Sequence, residues 1–289
     1  MFGTALLTVL GIATNAITAV THTPTTPYGW YFVPNDTGTT PLLDPGMKFA
    51  EEHGGYYCDR RCENGEKVIY LTFDAGYENG NVEKILNVLK EKNVPGAFFI
   101  LPQLAKENTA LVQRMHDEGH LVCNHTKTHR DMSKITDFDA FAAELRAAED
   151  ILRENTGLEM DKFYRPPEGR FSEQNLEFAD RLGYTTVFWS LAYADWDNEK
   201  QMSPERALDL ILARTHNGCV ALLHPTSATN AAILGRYIDA LRADGYTFGS
   251  LTELAATPDR ADKAAKPEAF EKGGDSHEAP EQTKRVKAD

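Results

Sequence analysis

Short apolar segments rich in β-branched and aromatic residues alternate with amphipathic helical segments between residues 66 and 255, and this alternation limits the fold more than any other feature. In the first unit, an apolar run at 68–73 is followed at 81–92 by a segment in which Ile85 and Leu89 recur on one helical face. Strands joined by helical crossovers pair in parallel, with right-handed connections. The repeated units predict a single α/β domain with about seven parallel strands, either open and doubly wound or closed as a barrel.

The same periodicity sets the bounds of the predicted elements. The predicted strands are 68–73, 97–101, 120–124, 163–165, 185–190, 219–223 and 246–248. The predicted helices are 81–92, 108–118, 137–155, 172–183, 203–217 and 230–243.

The two ends of the chain differ from this pattern. Residues 1–20 are apolar without a basic residue, and we interpret them as a signal sequence or membrane anchor, which predicts an exported or cell-wall-associated protein. Residues 21–65 form an irregular arm, whose aromatic residues at 28–32 are expected to pack on the catalytic domain at 66–255. Residues 256–289 are charged and poor in apolar side chains, which predicts a disordered tail.

The formal net charge of −13 argues against one class of partner, nucleic acid. Nucleic-acid binding requires a basic patch, and the body of the chain has no cluster of Lys or Arg. We therefore expect no nucleic acid, contact with a membrane only through the N-terminal segment, and a monomer.

Four cysteines raise the question of a disulfide. Cys58 and Cys62 are four residues apart, a spacing that permits a short-loop disulfide in an exported protein, whereas zinc would need two further ligands nearby. The sequence leaves the disulfide open. Cys123 and Cys219 lie in apolar runs and are expected to be buried thiols.

Ionisable residues lie at or shortly after the carboxyl ends of five of the seven predicted strands, with Asp195 in the loop that follows the fifth. They are Asp74, His125, Arg165, Asp195 and His224. The carboxyl ends of parallel strands meet at one face of such a sheet or barrel, and active sites form there. The sequence therefore predicts that these five side chains converge on one site.

A His-x-x-x-His pair, His125 and His129, is the candidate metal site. Four residues span about one helical turn, so both imidazoles can point the same way and bind a borderline divalent ion such as zinc. A histidine pair at this spacing is more often surface or core. Its position at a strand end opposite Asp74 favours the metal.

The remaining strand-end residues suggest hydrolytic chemistry. Asp74 is a candidate general base for an attacking water, although a turn-capping Asp before Gly would look the same. Arg165 can hold Asp74 ionised or form a purely structural ion pair. His224 is a candidate general acid oriented by Asp195, and Trp196 is expected to wall an acyl pocket. A two-carboxylate glycosidase would leave the histidine pair unexplained.

Five ordered motifs resemble those of the polysaccharide deacetylases, the NodB homology domain of carbohydrate esterase family 4. The motifs are Thr72-Phe-Asp-Ala-Gly76, His125-x-x-x-His129, Arg165-Pro-Pro-Glu-Gly169, Asp195-Trp196 and Leu222-Leu-His224. More narrowly, Tyr77-Glu-Asn-Gly80, Thr186-Val-Phe-Trp-Ser190 and Trp30 resemble the subgroup that forms muramic δ-lactam.

The resemblance implies a distorted (β/α) barrel and a role for each residue. It implies Asp74 as base, Arg165 as its partner, His125 and His129 as metal ligands, and His224 as acid, oriented by Asp195. It further implies an oxyanion contact from the backbone N–H of Glu168. The substrate-binding residues that it suggests are Tyr77, Glu168, Gly169, Arg170 and Trp196.

Two positions depart from the family pattern. Ala75 stands where most of the family has a second Asp that binds the metal, so we expect a weakly bound divalent ion, zinc or similar. Glu168 stands where the lactam-forming subgroup is expected to have a basic residue facing the lactyl carboxylate of muramic acid, and Arg170 is a candidate substitute.

The leading hypothesis is hydrolysis of the N-acetyl group of N-acetylmuramic acid in peptidoglycan. Deacetylation of N-acetylglucosamine in peptidoglycan or chitin-like chains is the second, and a non-catalytic carbohydrate-binding protein is the third. The presence of both Asp74 and His224 favours an enzyme, since a binding protein needs neither as base or acid.

Overall fold

Seven parallel strands form the main sheet of the protein in a computed structural model that describes residues 23–256. The apolar segment 1–20 and, apart from Ala256, the tail at 256–289 lie outside the described residues. The strands are β1 (Tyr28–Gly29), β2 (Phe32–Val33), β3 (Leu42–Leu43), β4 (Val68–Ala75), β5 (Ala97–Ile100), β6 (Leu121–Asn124), β7 (Asp161–Tyr164), β8 (Arg170–Phe171), β9 (Thr185–Thr186), β10 (Cys219–Leu223) and β11 (Thr247–Phe248). The helices are α1 (Phe49–Glu52), α2 (Val82–Lys92), α3 (Pro102–Glu107), α4 (Thr109–Asp117), α5 (Phe138–Thr156), α6 (Glu173–Arg181), α7 (Pro204–Arg214), α8 (Ala228–Ala243) and α9 (Leu251–Ala255).

The sheet runs in the order β10-β4-β5-β6-β7-β9, with β11 pairing β4, and every pair is parallel. After β9 the chain crosses to the opposite edge of the sheet, where Leu191 bridges Ala221 of β10 in parallel. The N–H of Leu222 donates to the Leu191 carbonyl over 2.8 Å. The irregular segment 187–191 thus closes the sheet into the distorted (β/α) barrel that the family resemblance implied, rather than the open sheet that the strand pattern also allowed.

Alternation along β4 separates two apolar layers. Phe73 and Ala75 pack in the layer between the sheet and helices such as α2 and α8. Tyr70 packs instead with Phe99 and Leu251, in a second cluster on the other face of the sheet. This cluster also contains residues of β6, β7, β10 and the segment after β9. Because strand side chains alternate between faces, Asp74 lies on the same face as Tyr70 and is carried toward the barrel interior.

The seven strands of the main sheet agree with the predicted ones to within a few residues, except that regular pairing of the fifth ends at Thr186 rather than 190. Helix α3 was not predicted. It starts with Pro102 in its first turn, where the missing N–H costs nothing, and it buries Leu104 and Ala105.

The arm packs on the barrel through Trp30, which stacks on Phe188 with ring centroids 4.1 Å apart. Strand β1 pairs antiparallel with β8, matching Tyr28 to Phe171. The expected packing is therefore confirmed for Tyr28 and Trp30. The expectation is wrong for Tyr31, which is 56% exposed.

All four cysteines are buried free thiols, and the described residues contain no disulfide. Cys58 pairs its backbone with Cys219, and Cys62 lies in the 3-10 turn Arg60–Asn64.

Within residues 23–256, none of the helices combines the length and the apolar character that a membrane span requires.

Candidate active site

The five strand-end residues meet at the carboxyl edge of the barrel. Arg165 Nη1 lies 2.7 Å from Asp74 Oδ1, and His125 Nε2 lies 3.6 Å from Asp74 Oδ2. His224 Nδ1 lies 2.7 Å from Asp195 Oδ1, and its charge acts on Asp74. The prediction that these side chains converge is confirmed.

Arg165 is the fully buried centre of the site. Its Nη1 donates to Asp74, and its Nη2 donates to Thr72 Oγ1 over 2.8 Å. The Nε and Nη2 groups also donate to the carbonyls of Val187 (3.0 Å) and Phe188 (3.2 Å). Because the planar fork is held at each of these points, the guanidinium fixes the position of the Asp74 carboxylate.

Asp74 is held as a carboxylate. Burial raises its pKa, but the charge and hydrogen bond of Arg165, together with the charges that His125 and His224 carry when protonated, outweigh burial and leave the pKa below its ordinary value. Oδ1 accepts the hydrogen bond from Arg165, whereas Oδ2 is too far from His125 for a hydrogen bond. An ionised oxygen aimed into the site is what a general base requires.

His125 is fixed as a neutral imidazole with a defined tautomer. Its Nδ1 lies 2.9 Å from the Arg165 carbonyl, which can only accept, so Nδ1 carries the proton. Burial lowers the pKa of His125 to about 4 despite the opposing effect of Asp74. The lone pair of Nε2 therefore faces the site at neutral pH, as a metal ligand requires.

The backbone conformation that brings His129 beside His125 differs from the predicted one. The centroids of the two rings lie 5.0 Å apart, so the predicted proximity of the two imidazoles is confirmed. The helical turn expected between them is wrong, because the chain after β6 forms a loop with left-handed φ at Thr126 (69°) and His129 (53°). The loop, rather than a helix, brings the second imidazole back to the first.

A divalent ion fits part of this donor set. Two imidazoles lie side by side, but no group of three His, Cys, Asp or Glu side chains within residues 23–256 is arranged to hold a metal. Ala75, at the position of the family's third ligand, is fully buried in the apolar layer. The residues thus suit an ion held by His125 and His129, with other positions left to solvent, substrate or Asp74.

His224 is held by the buried carboxylate of Asp195. Asp195, 1% exposed, accepts from His224 Nδ1 and, over 2.8 Å, from its backbone N–H. Burial lowers the pKa of His224, but the hydrogen bond and charge of Asp195, with the charge of Asp74, raise it above its ordinary value. Since Nδ1 is engaged, Nε2 is the nitrogen that remains for a leaving group.

Asn230 completes this pair and was missed from the sequence. Its Nδ2 donates to Asp195 Oδ2 over 2.6 Å and to the His224 carbonyl over 3.0 Å. Its own N–H donates to Ser227, the N-cap of α8. The Ser-x-x-Asn capping pattern was visible, but it indicates a helix start rather than a contact with Asp195.

The turn after Arg165 has the strained geometry expected of a backbone donor site. Glu168 (φ 53°) and Gly169 (φ 65°) are both left-handed. The Gly169 carbonyl accepts from the Trp30 N–H over 2.8 Å, and a Cβ on Gly169 would lie 2.8 Å from the Cβ of Trp30. Only glycine fits there, and the arm thereby fixes the turn.

Glu168 and Arg170 form an ion pair beside this turn, with Arg170 Nε 3.5 Å from Glu168 Oε2. Both side chains are largely exposed, at 66% and 49%. The positive charge of Arg170 is therefore partly offset by its neighbour.

Two of the predicted substrate-binding aromatics lie at the surface. Trp196, directly after Asp195, is 61% exposed, and Tyr77 is 45% exposed. Asn198 Nδ2 donates to the Tyr77 hydroxyl over 2.7 Å, which ties the loop after β4 to the loop that carries Trp196. Both rings are accessible from solvent.

The Tyr-Glu-Asn-Gly segment after β4 is partly structural. Glu78 accepts from the N–H groups of Gly80 (2.6 Å) and Val82 (3.0 Å), and so caps α2. Asn79 donates to the carbonyl of Thr226 over 2.8 Å. The segment holds the loop after β4 against the loop that follows His224.

Comparison with known proteins shows the family to which this site belongs. The family model for polysaccharide deacetylase matches residues 61–187. An uncharacterized 30.6 kDa protein of Geobacillus stearothermophilus is 41% identical over 231 residues, covering 79% of this chain and 85% of that protein. The peptidoglycan-N-acetylmuramic acid deacetylase PdaA of Bacillus subtilis is 38% identical over 234 residues, covering 80% and 87%.

A solved structure and a further relative agree with this family. The structure of Bacillus subtilis PdaA, a family 4 carbohydrate esterase, superposes with a TM-score of 0.75 at 38% identity, covering 80% of this chain and 97% of that chain. The peptidoglycan-N-acetylglucosamine deacetylase of Bacillus cereus is 31% identical over 193 residues, covering 65% of this chain and 68% of that protein. The chain belongs to the polysaccharide deacetylase family, the family 4 carbohydrate esterases.

Proposed function

We propose that the protein hydrolyses the N-acetyl group of an amino sugar in peptidoglycan, and that this sugar is N-acetylmuramic acid. The observation that carries the proposal is the presence of an ionised Asp74 and a His224 of raised pKa beside the adjacent imidazoles of His125 and His129. The relationship to PdaA supports the choice of sugar.

In this mechanism Asp74 Oδ2 accepts a proton from the attacking water, whose oxygen bonds to the acetyl carbon. His224 donates its proton from Nε2 to the amide nitrogen as the C–N bond breaks, releasing acetate and an amine. A divalent ion held by His125 and His129 would polarise the acetyl carbonyl and the water. The backbone N–H of Glu168, in the left-handed turn, is the donor that we assign to the oxyanion.

On muramic acid, the freed amine then closes on the lactyl carboxyl with loss of water, which gives the muramic δ-lactam. Peptidoglycan lies outside the cytoplasmic membrane, so this substrate requires export. The apolar segment at 1–20 would serve as the signal or anchor.

Glu168 favours a second candidate substrate, N-acetylglucosamine. A carboxylate that is 66% exposed beside the turn would repel the lactyl carboxylate of muramic acid, and its partner Arg170 is partly neutralised. N-acetylglucosamine has no such carboxylate and would not be repelled.

Purified protein incubated with peptidoglycan, with Zn²⁺ or Co²⁺ added, distinguishes these substrates by mass spectrometry. Acetate together with muramic amine or lactam supports the first proposal. Acetate with glucosamine alone refutes it in favour of the second. No acetate with any metal refutes the deacetylase and favours a non-catalytic binder.

Glu168→Gln sharpens the comparison, with Glu173→Gln, on α6, as the control. If the substrate carries a carboxylate near the turn, removing the Glu168 charge lowers KM. An unchanged KM in both variants supports N-acetylglucosamine.

A further inference from the structure

The loop that carries both histidines has a conformation that its own sequence does not favour. Thr126 and His129 are left-handed, at φ 69° and 53°, and neither is glycine. Side chains with a Cβ adopt this region rarely, so surrounding contacts must hold the loop in place.

Short-range hydrogen bonds hold the two ends of the loop. The Thr126 N–H donates to Asn124 Oδ1 over 2.8 Å, and the His129 N–H donates to Thr126 Oγ1 over 3.0 Å. Asn124 is in turn fixed by donating to the Leu145 carbonyl in α5. These bonds leave the middle of the loop, at Thr128, to be held by another group.

Glu144, from α5, is that group. Its Oε2 accepts from the Thr128 N–H over 3.0 Å, and both carboxylate oxygens lie within 3.0 Å of Thr128 Oγ1. The Glu144 side chain is 10% exposed, and Arg130 Nη1 lies 3.9 Å away. Burial of a carboxylate is costly unless it is well bonded, and here the bonds go to the residue directly before His129.

Helix α5 provides a rigid base for this contact. Phe141 and Leu145, on either side of Glu144, are fully buried in the cluster that includes Tyr164. Because the helix is fixed by its apolar face, the carboxylate has a fixed position.

We propose that Glu144 is a positioning residue for the metal site: it holds Thr128 so that the His129 imidazole lies beside that of His125. The inference rests on the proposed function, since it assigns these two histidines as ligands. Groups that orient ligands in this way commonly change metal affinity by about 10–100-fold when removed.

The test is titration of the metal-free full chain with Co²⁺, followed by the visible absorption of the bound ion. Glu144→Ala is expected to weaken Co²⁺ binding by about tenfold or more and to alter the absorption band. Glu144→Gln keeps an acceptor for the Thr128 N–H and is expected to recover part of the affinity. Glu154→Ala, an exposed carboxylate on the same helix, is the control and should bind as the wild type does.

Thr128→Val tests the same contact without removing a charge, and this variant should weaken Co²⁺ binding less than Glu144→Ala does. Circular dichroism of each metal-free variant checks that the variant is folded. Combined with Glu144→Ala, Thr128→Val should add little, because both changes break one contact.

Two outcomes overturn the inference and are distinguishable. If wild type binds Co²⁺ and Glu144→Ala binds it equally well, the positioning role fails while the proposed function stands. If wild type binds no Co²⁺, both fail.

Discussion

Replacing Arg165 by Met tests whether the buried guanidinium holds Asp74, the proposed base. The change leaves the Asp74 carboxylate buried without its strongest partner, and breaking a buried ion pair in this way costs about 3–5 kcal/mol. The carbonyls of Val187 and Phe188 also lose a donor, at about 1–3 kcal/mol for each group that stays unsatisfied. We expect the free energy of unfolding to fall by at least about 3 kcal/mol.

Part of this loss belongs to the unpaired carboxylate and should be recovered by a second change. The double variant Asp74→Asn/Arg165→Met carries no buried charge at the pair and should be more stable than Arg165→Met alone. The deficit of Arg165→Met should also shrink as the pH falls. Burial, no longer opposed by the guanidinium, raises the pKa of Asp74, so the carboxyl takes up a proton more readily.

The assay is urea unfolding followed by circular dichroism, on the wild type, the two single variants and the double variant. Arg170→Met is the matched control, because this arginine is about half exposed and its pair with Glu168 is 3.5 Å long. It should change stability by no more than about 1 kcal/mol. The reasoning is refuted if Arg165→Met behaves like the control, or if the double variant recovers nothing.

Two further predictions concern the acid and the turn. Asp195→Asn keeps an oxygen that can accept from His224 but removes the carboxylate charge that raises the pKa of His224, so the alkaline limb of the kcat profile should move to lower pH; an unmoved limb in a folded variant would show that another group is the acid. Gly169→Ala should lose about 1–3 kcal/mol more in urea unfolding than Gly183→Ala. Both glycines have positive φ, but only at Gly169 would the new Cβ contact Trp30, at 2.8 Å, and equal losses would argue against that contact.

The positions of the residues at the ends of strands could be predicted from the sequence. Asp74, Arg165 and His224 follow apolar runs that form the predicted strands, and parallel strands bring their carboxyl ends together whatever lies between. The pairing of His224 with Asp195 followed from the need of an acid for an orienting carboxylate.

Residues whose role depends on loop geometry were not predictable. His-x-x-x-His is a helical spacing, yet a loop brings the two imidazoles together through two residues with left-handed φ. Neither residue is a glycine, so nothing in the sequence indicated this backbone conformation. Glu144 has the pattern of an ordinary helix residue, and only the placement of α5 against the loop makes it a partner of Thr128. Closure of the barrel at Leu191 likewise depends on a segment without regular periodicity.

The most direct test of the account is release of acetate from peptidoglycan by Asp74→Asn, compared with the wild type at equal metal concentration. The variant keeps the shape of the side chain and loses the proton acceptor, and general base catalysis is worth about 10²–10⁴-fold. We expect acetate release to fall by at least about a hundredfold, with the urea midpoint showing a folded protein. Release at the wild-type rate would contradict the assignment of Asp74 as the base and, with it, the mechanism proposed for this site.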